Sequence, residues 1–262
     1  VRRVSEPTAW LALGFERRSA RFLSKNRHEP VPRPIRLGRR ESRANPTHFA
    51  SIKIHAMANQ ITHIVLAERI SDQLFKKFTR HTFLVGTVFP DIRYLKVIER
   101  DKTHFKGLTL EDILNETSPF VAGMKYHSLV DEVREKYVIE KNIYQFFPAS
   151  KFIKHALKTY EDEILYNKVS DWSEIVKYFD IIADGEIKLV EQSDKLKLWH
   201  SVIQEYFKES PTDNSRRGFV LGIGFSDEIA SEINGLIDKM RQIPEVREII
   251  LDLYNNWDSL VQ

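Results

Sequence analysis

The sequence contains no cysteine among its 262 residues. Disulfide bonds, thiolate metal ligands and a cysteine nucleophile are therefore all excluded. Any site for a transition-metal ion must use histidine and carboxylate ligands instead. Long apolar runs are also missing, because no stretch approaches the roughly 18 residues that a membrane-spanning helix needs.

Alternation of apolar and polar residues, the pattern of a half-buried strand, does not occur in any convincing run. Helical spacing recurs instead, and it is clearest in the C-terminal part of the chain. We therefore predict an all-α fold built as a multi-helix bundle. The two C-terminal apolar stripes consist of Ile229, Ile233, Leu236, Ile237 and Met240, and of Val246, Ile249, Ile250, Leu253, Trp257 and Leu260.

Some helix limits in the first half can also be predicted. Apolar spacing predicts one helix from Asn59 to about Phe78, followed by a loop that contains Gly86. The segment Thr109-Leu-Glu-Asp112 resembles a capping box at the start of a short helix. A long helix is then predicted to begin at Phe120.

Charge is distributed unevenly along the chain. Residues 1–56 contain 13 Lys and Arg against four acidic residues, whereas residues 57–262 contain 27 basic and 33 acidic residues. The basic segment shows no regular period, so we expect it to be disordered. It could be a targeting peptide, a nucleic-acid-binding arm or sequence upstream of the true start, and the change of pattern at Met57 favours the third.

Residues 57–262 are predicted to form a single domain. Because this domain is acidic overall, it implies no stable nucleic-acid partner. The secretory pattern is missing from the early residues, so a cytoplasmic location is expected. The oligomeric state is not specified by the sequence.

The first motif that could carry chemistry is Gly123-x-x-x-His127-x-x-x-Asp131. On a helix, His127 and Asp131 face the same way, with Cβ atoms about 5–6 Å apart. Two side chains at that separation can chelate one ion of the zinc type, whose bonds to nitrogen and oxygen are about 2.0–2.2 Å long. Gly123, one turn earlier, leaves space for another backbone or a ligand. Taken alone, such a pair is more typical of a surface hydrogen bond.

Further candidate ligands precede this helix. Asp91 follows Pro90 in the segment Gly86-Thr-Val-Phe-Pro-Asp91, and His104 comes thirteen residues after Asp91. His63 lies on the core-facing side of the first predicted helix. Each of these residues has an ordinary interpretation, since Asp91 could cap a helix and His63 could be a hydrogen-bonded core histidine.

The order of these motifs, more than any single one, points to a known family. Together they resemble the zinc-dependent phospholipase C family, which is related to single-strand nucleases that also use a trinuclear zinc cluster. The resemblance covers about residues 59–165, and the Pro-Asp loop and the His-x-x-x-Asp helix are its most specific parts. The motifs are Thr62-His63, Gly86-x-x-x-Pro90-Asp91, Thr103-His104 and Gly123-x-x-x-His127-x-x-x-Asp131.

The resemblance implies a set of metal ligands. Asp91, His104, His127 and Asp131 would form one metal site between the helices of the first half. His63 would bind a second ion, with Asp131 bridging the two. In the family this second site is completed by a processed N-terminal Trp, and no Trp stands just ahead of Asn59.

The third metal site of the family is altered in this chain. The family uses a His-x-x-x-Glu pair, whereas Thr159 stands four residues after His155. Asp162 shares a helical face with His155 because seven residues make nearly two turns, so it is the candidate replacement, with Glu161 as the alternative. One to three zinc ions are therefore expected.

The activity implied by the resemblance is hydrolysis of a phosphate ester, with a phosphodiester such as a phospholipid as the expected substrate. Two divalent ions about 3.5–4 Å apart can bind the phosphate, activate water and stabilise the leaving oxygen. Asp91 is the candidate catalytic base. Arg93 and Lys125 are candidates for binding phosphate oxygens.

Two alternatives to this function stay open. One is a different class of helical metal-dependent phosphohydrolase that is marked by adjacent His and Asp residues, a dipeptide that this sequence lacks. The other is a non-catalytic helical binding domain with a degenerate metal cluster, which the altered third site favours. Metal content distinguishes the binding domain from the hydrolase.

Overall fold

The computed structural model describes residues 60–262 of the chain. Over this range it contains thirteen α-helices, four 3₁₀ helices and no β-strand, so the predicted all-α fold is confirmed. The 3₁₀ helices span Phe89–Leu95, Arg100–Lys102, Ile143–Phe146 and Tyr166–Lys168. The α-helices are α1 (Gln60–Arg69), α2 (Ser71–Leu74), α3 (Arg80–Val88), α4 (Leu110–Leu114), α5 (Pro119–Glu140), α6 (Ile153–Leu165), α7 (Trp172–Lys177), α8 (Asp184–Leu189), α9 (Ser193–Phe207), α10 (Asp213–Gly222), α11 (Asp227–Arg241), α12 (Pro244–Asn255) and α13 (Trp257–Leu260).

Two expectations concern the whole chain rather than single helices. The predicted leader, residues 1–56, and the predicted boundary at Met57 lie outside the described residues. None of the described helices is both long enough and apolar enough to cross a membrane.

Helix α5 is the longest described helix, and α3 packs along it with the two backbones in contact. A Cβ atom built on Gly123 of α5 would lie only 2.1 Å from the carbonyl oxygen of Phe83 in α3. A Cβ atom built on Gly86 of α3 would lie 2.2 Å from the carbonyl oxygen of Phe120 in α5. Only glycine permits this approach, and the prediction that Gly123 leaves room for another backbone is confirmed.

Helix α6 packs against α1, which carries His63, and also against α11 and α12. The buried carboxylate of Asp162 accepts hydrogen bonds from the backbone N–H and the hydroxyl of Thr62, at 2.7 and 2.8 Å, and from the hydroxyl of Tyr206 at 3.0 Å. The N–H groups of a first helical turn have no intrahelical acceptor. Asp162 therefore fixes the start of α1, directly before His63.

Several C-terminal helices pack against helices near them in sequence, and the last helix contacts α5. Helix α9 packs against α7 and α10, and α10 against α11. The indole N–H of buried Trp257 in α13 donates to the hydroxyl of Tyr126 in α5 at 2.9 Å. This bond attaches the end of the chain to the helix that carries His127.

The first predicted helix is divided in the structure. Apolar spacing predicted one helix to about Phe78, but α1 ends at Arg69 and α2 is a separate short helix. Ile70 between them has φ −113° and ψ 29°, outside the helical region. The apolar residues on either side of the break are still buried, so the periodic pattern alone did not reveal it.

The prediction of a loop at Gly86 is wrong, because Gly86 lies inside α3. Glycine costs about 1 kcal/mol relative to alanine within a helix, which is why the sequence pattern indicated a loop. Here the missing Cβ permits the contact between α3 and α5. Helix α3 ends at Val88, two residues before Pro90, and continues as a 3₁₀ helix.

Candidate metal centre

Five of the predicted ligands lie together in the first half of the domain. His63 comes from α1, Asp91 from the 3₁₀ helix after α3, His104 from the segment before α4, and His127 and Asp131 from α5. Two groups could each hold a metal ion, His63 with His127 and Asp131, and Asp91 with His104 and His127. Within each group, the possible ligand atoms lie within 4.8 Å of one another. We refer to the five residues as the His–Asp cluster.

His127 belongs to both groups and lies at the centre of the cluster. Its ring stacks on that of His63, with centroids 4.1 Å apart, and meets His104 edge-on at 5.0 Å. Nδ1 lies 2.9 Å from the carbonyl oxygen of Thr87. Because a carbonyl can only accept, Nδ1 carries the proton, and Nε2 of the neutral ring has the free lone pair. His127 can therefore bind one ion, through Nε2.

The two carboxylates of the cluster are arranged alike around His127. Oδ2 of Asp91 lies 3.7 Å from His127 Nε2, and Oδ2 of Asp131 lies 3.8 Å from the same atom. Two atoms bound to one zinc ion at about 2.1 Å, at a tetrahedral angle, would be about 3.4 Å apart. The other oxygen of each carboxylate faces a cation. Oδ1 of Asp91 lies 3.2 Å from Nη2 of Arg93, and Oδ1 of Asp131 accepts a hydrogen bond from the ammonium of Lys158.

The histidine nitrogens show that a bound ion fits this cluster. Both ring nitrogens of His63, Nε2 of His104 and Nε2 of His127 are buried and have no hydrogen-bond partner among the described residues. Buried polar atoms in proteins are normally hydrogen-bonded, so a concentration of such atoms needs an explanation. Imidazole nitrogens together with carboxylate oxygens are the donor set that zinc and similar ions accept.

The protonation states favour metal binding as well. Burial lowers the pKa of His63 well below its ordinary value, lowers that of His104 to about 2, and also lowers that of His127. Burial alone would raise the pKa of Asp131, but the charge of Lys158 holds it well below its usual range. Neutral imidazole and ionised carboxylate are the forms that bind metal, and both are present near neutral pH.

Three residues around the cluster orient its ligands. Buried Gln60 donates from Nε2 to Oδ2 of Asp91 at 3.1 Å. The hydroxyl of Thr103 lies 3.0 Å from Nδ1 of His104, which leaves Nε2 for the cluster. Together with the carbonyl of Thr87, these contacts are of the kind that fixes metal ligands in proteins. Sequence reasoning did not single out Gln60, although its place three residues before His63 puts it on the same helical face.

A cavity of about 490 Å³ adjoins the cluster. His104 and Asp131 belong to both, so a ligand in the cavity can reach the cluster. Phosphate binding needs positive charge, and the wall provides more basic than acidic side chains. The basic residues are Arg100, Lys106, Lys154 and Lys158, and the acidic ones are Asp131, Glu132 and Glu135.

His155 and Asp162, the candidates for a third metal site, are not part of the cluster. The His155 ring packs edge-on against Phe152 and Phe225. Asp162 accepts two hydrogen bonds from Thr62 in α1 and one from Tyr206 in α9. Neither residue belongs to a group of possible metal ligands within the described residues.

The two candidate phosphate-binding residues also have other partners. Lys125 pairs with Glu116 at 2.7 Å and does not line the cavity. Arg93 is nearly buried, pairs with Asp91 and lies over the ring of Tyr94 at 4.1 Å. Arg93 therefore acts on a ligand of the cluster rather than on the cavity.

Comparison of the chain with protein-family models, with curated proteins and with solved structures finds no match.

Proposed function

We propose that the domain is a zinc-dependent hydrolase that acts on phosphodiesters. The observation that carries this proposal is the His–Asp cluster beside a cavity with four basic side chains in its wall. The cluster offers ligands for an ion, and the wall offers charge for a phosphate group. The resemblance of the motifs to zinc-dependent phospholipase C supports the same reaction class and implies a phospholipid as substrate.

In this proposal Asp91, His104, His127 and Asp131 hold the principal ion. Asp91 and Asp131 each direct Oδ2 towards His127, and His104 meets the same ring from its edge. A bound zinc ion supplies Lewis acidity, because it polarises a phosphoryl oxygen and makes a water molecule more acidic. The cavity on the side of His104 and Asp131 gives a substrate access to this position.

The protein groups supply orientation and proton transfer. Asp91 is the proposed proton acceptor, because Gln60 and Arg93 hold its carboxylate in one orientation beside His127. A proton acceptor must be fixed within hydrogen-bond reach of the water from which it takes the proton. Arg100 and Lys106, which line the cavity, are the proposed partners of the phosphate oxygens.

The test is hydrolysis of bis(4-nitrophenyl) phosphate together with measured zinc content. Chelation should abolish activity, and added zinc should restore it. His127→Ala should lose both zinc and activity, since it removes the atom shared by both ligand groups. His81→Ala is the matched control, because His81 lies on α3 and contacts the carbonyl of Tyr178 instead of the cluster. Equal zinc retention in the two variants would reject the ligand assignment.

The non-catalytic alternative remains a second candidate because His155 and Asp162 lie outside the cluster. Two substrates, phosphatidylcholine vesicles and single-stranded DNA, are tested separately. They distinguish the hydrolase from the binding domain and also identify the substrate class. Hydrolysis of the vesicles supports a phospholipid substrate, and hydrolysis of DNA supports a nuclease. A folded, zinc-loaded protein that hydrolyses neither of these nor the generic diester would support the binding domain.

A further inference from the structure

Lys158 is a buried lysine at the His–Asp cluster, and its side chain is only about 5% exposed. It lies on α6, and its ammonium donates a hydrogen bond to Oδ1 of Asp131. The same oxygen lies 3.7 Å from Nε2 of His63. The ammonium and the His63 ring are thus two neighbours of one carboxylate oxygen, at the place where an ion bound by His63 and Asp131 would lie.

The ligand geometry separates this place from the rest of the cluster. His127 can contribute only Nε2, because its Nδ1 donates to the carbonyl of Thr87. That one lone pair would serve an ion held with Asp91 and His104. His63 and Oδ1 of Asp131 are then the protein ligands left for a second ion, and Lys158 already binds that oxygen.

We infer that the site binds one ion tightly and that Lys158 takes the place of a second ion. Its ammonium provides the second positive charge beside Asp131, and Lys158 also lines the cavity, so that this charge faces a bound phosphate. This role towards the substrate rests on the proposed function, whereas the number of bound ions does not. A second divalent ion would have to share Oδ1 with the ammonium and would be repelled by it.

A second buried ion pair fixes Lys158 in this position. Arg134 and Glu161 are fully buried and form a bidentate pair, with Nη2 of Arg134 2.6 Å from Oε1 of Glu161. Arg134 follows Asp131 by three residues on α5, and Glu161 follows Lys158 by three residues on α6. In the first pair the acid, Asp131, is on α5, whereas in the second pair the acid, Glu161, is on α6. A shift of one helix by one turn would bring like charges together, so the alternation disfavours such a shift.

The experiment is a zinc titration against a chromophoric chelator in the natural sequence and four variants. The natural sequence should bind one zinc ion tightly and a second at least tenfold more weakly. Lys158→Met should strengthen the second site at least tenfold, because it frees Oδ1 and removes the repulsion. Lys158→Arg keeps the charge and should behave like the natural sequence. Lys154→Met is the matched control, since Lys154 lines the same cavity but pairs with Glu135.

Two results would overturn the inference. One is a natural protein that binds two ions with equal affinity, and the other is a second site that is unchanged in Lys158→Met. Adding His63→Ala to Lys158→Met should abolish the gain, and a gain that persists would show that the second ion binds elsewhere. Circular dichroism confirms that each variant is folded. Because the titration does not depend on turnover, failure of the hydrolase proposal and failure of this inference are separate outcomes.

Discussion

The backbone contact between α3 and α5 allows a sharp test of how the fold positions the metal centre. An alanine Cβ at position 123 would lie 2.1 Å from the carbonyl oxygen of Phe83 and 2.7 Å from the amide nitrogen of Thr87, whereas ordinary contacts are 3.4–4 Å. Both neighbours are backbone atoms, which cannot rotate away. Gly123→Ala therefore requires the two helices to separate by about 1 Å or more.

Two losses should follow from this separation. Overpacking a core typically costs about 1–3 kcal/mol, and because the clash is with backbone we expect the free energy of unfolding to fall by about 3 kcal/mol. His127 lies one turn after Gly123, and its bond to Thr87 crosses the same interface at 2.9 Å. Loss of such an orienting contact lowers metal affinity by about 10- to 100-fold.

The first assay is urea unfolding in the presence of chelator, monitored by circular dichroism. The second is a zinc competition titration. Gly235→Ala is the matched control, because Gly235 is exposed on α11 and an added Cβ would meet nothing within 4 Å. This control should raise the free energy of unfolding by up to about 1 kcal/mol, since alanine favours a helix. The reasoning is refuted if Gly123→Ala is as stable as the control and binds zinc like the natural sequence.

Two further predictions concern buried charges. Glu161→Leu should lower the free energy of unfolding by about 3–5 kcal/mol, because it leaves Arg134 buried without its main partner. In urea unfolding, the double variant with Arg134→Met should recover much of that loss. A double variant no more stable than Glu161→Leu would contradict this. Burial raises the pKa of Asp162 to about 7, so the folded protein retains a proton that the unfolded chain loses above about pH 4. The free energy of unfolding should therefore fall by at most about 2.7 kcal/mol as pH rises from 5 to 7. Asp162→Asn should flatten this pH dependence. If the natural protein and the variant, both with chelator present, show equal slopes of this free energy against pH, the prediction is contradicted.

The parts of the fold that could be predicted from sequence are those set by local chemistry. The side chain of Thr109 accepts from the backbone of Asp112, and the carboxylate of Asp112 accepts in return, which confirms the predicted capping box. Most of the predicted stripe that includes Ile233 is buried in α11. Apolar period and caps report the residues within one or two turns of a helix, and that information is contained in the local sequence.

The structure differs from the expectations where contacts between helices override local preference. Gly86 is a poor helix residue by itself, but contact with Phe120 requires a glycine within α3. Asp162 shares a helical face with His155, yet Thr62 and Tyr206 from two other helices bind its carboxylate. No pattern along α6 distinguishes a metal ligand from an acceptor for a neighbouring helix, because the partner is distant in sequence.

The same limitation explains why Lys158 was not predicted. A lysine in an amphipathic helix is usually a solvated surface charge, and its partner Asp131 is 27 residues away. His127 and Asp131 could be proposed because their spacing on one helix has a direct geometric meaning, whereas His63, Asp91 and His104 were proposed from the resemblance of the motifs. Lys158, the cation that balances Asp131, comes from a different helix and follows no such spacing.

The charges around the cluster link its two carboxylates to the number of bound ions and to the class of substrate. With neutral histidines, the charges of Asp91 and Asp131 are balanced by those of Arg93 and Lys158. One bound divalent ion would give the site a net charge of about +2, which would attract the single negative charge of the proposed phosphodiester substrate. A second ion would double that charge while competing with Lys158 for the same oxygen of Asp131. The cationic partners of the ligands therefore favour a site with one ion, because Lys158 already neutralises the oxygen of Asp131 that a second ion would need.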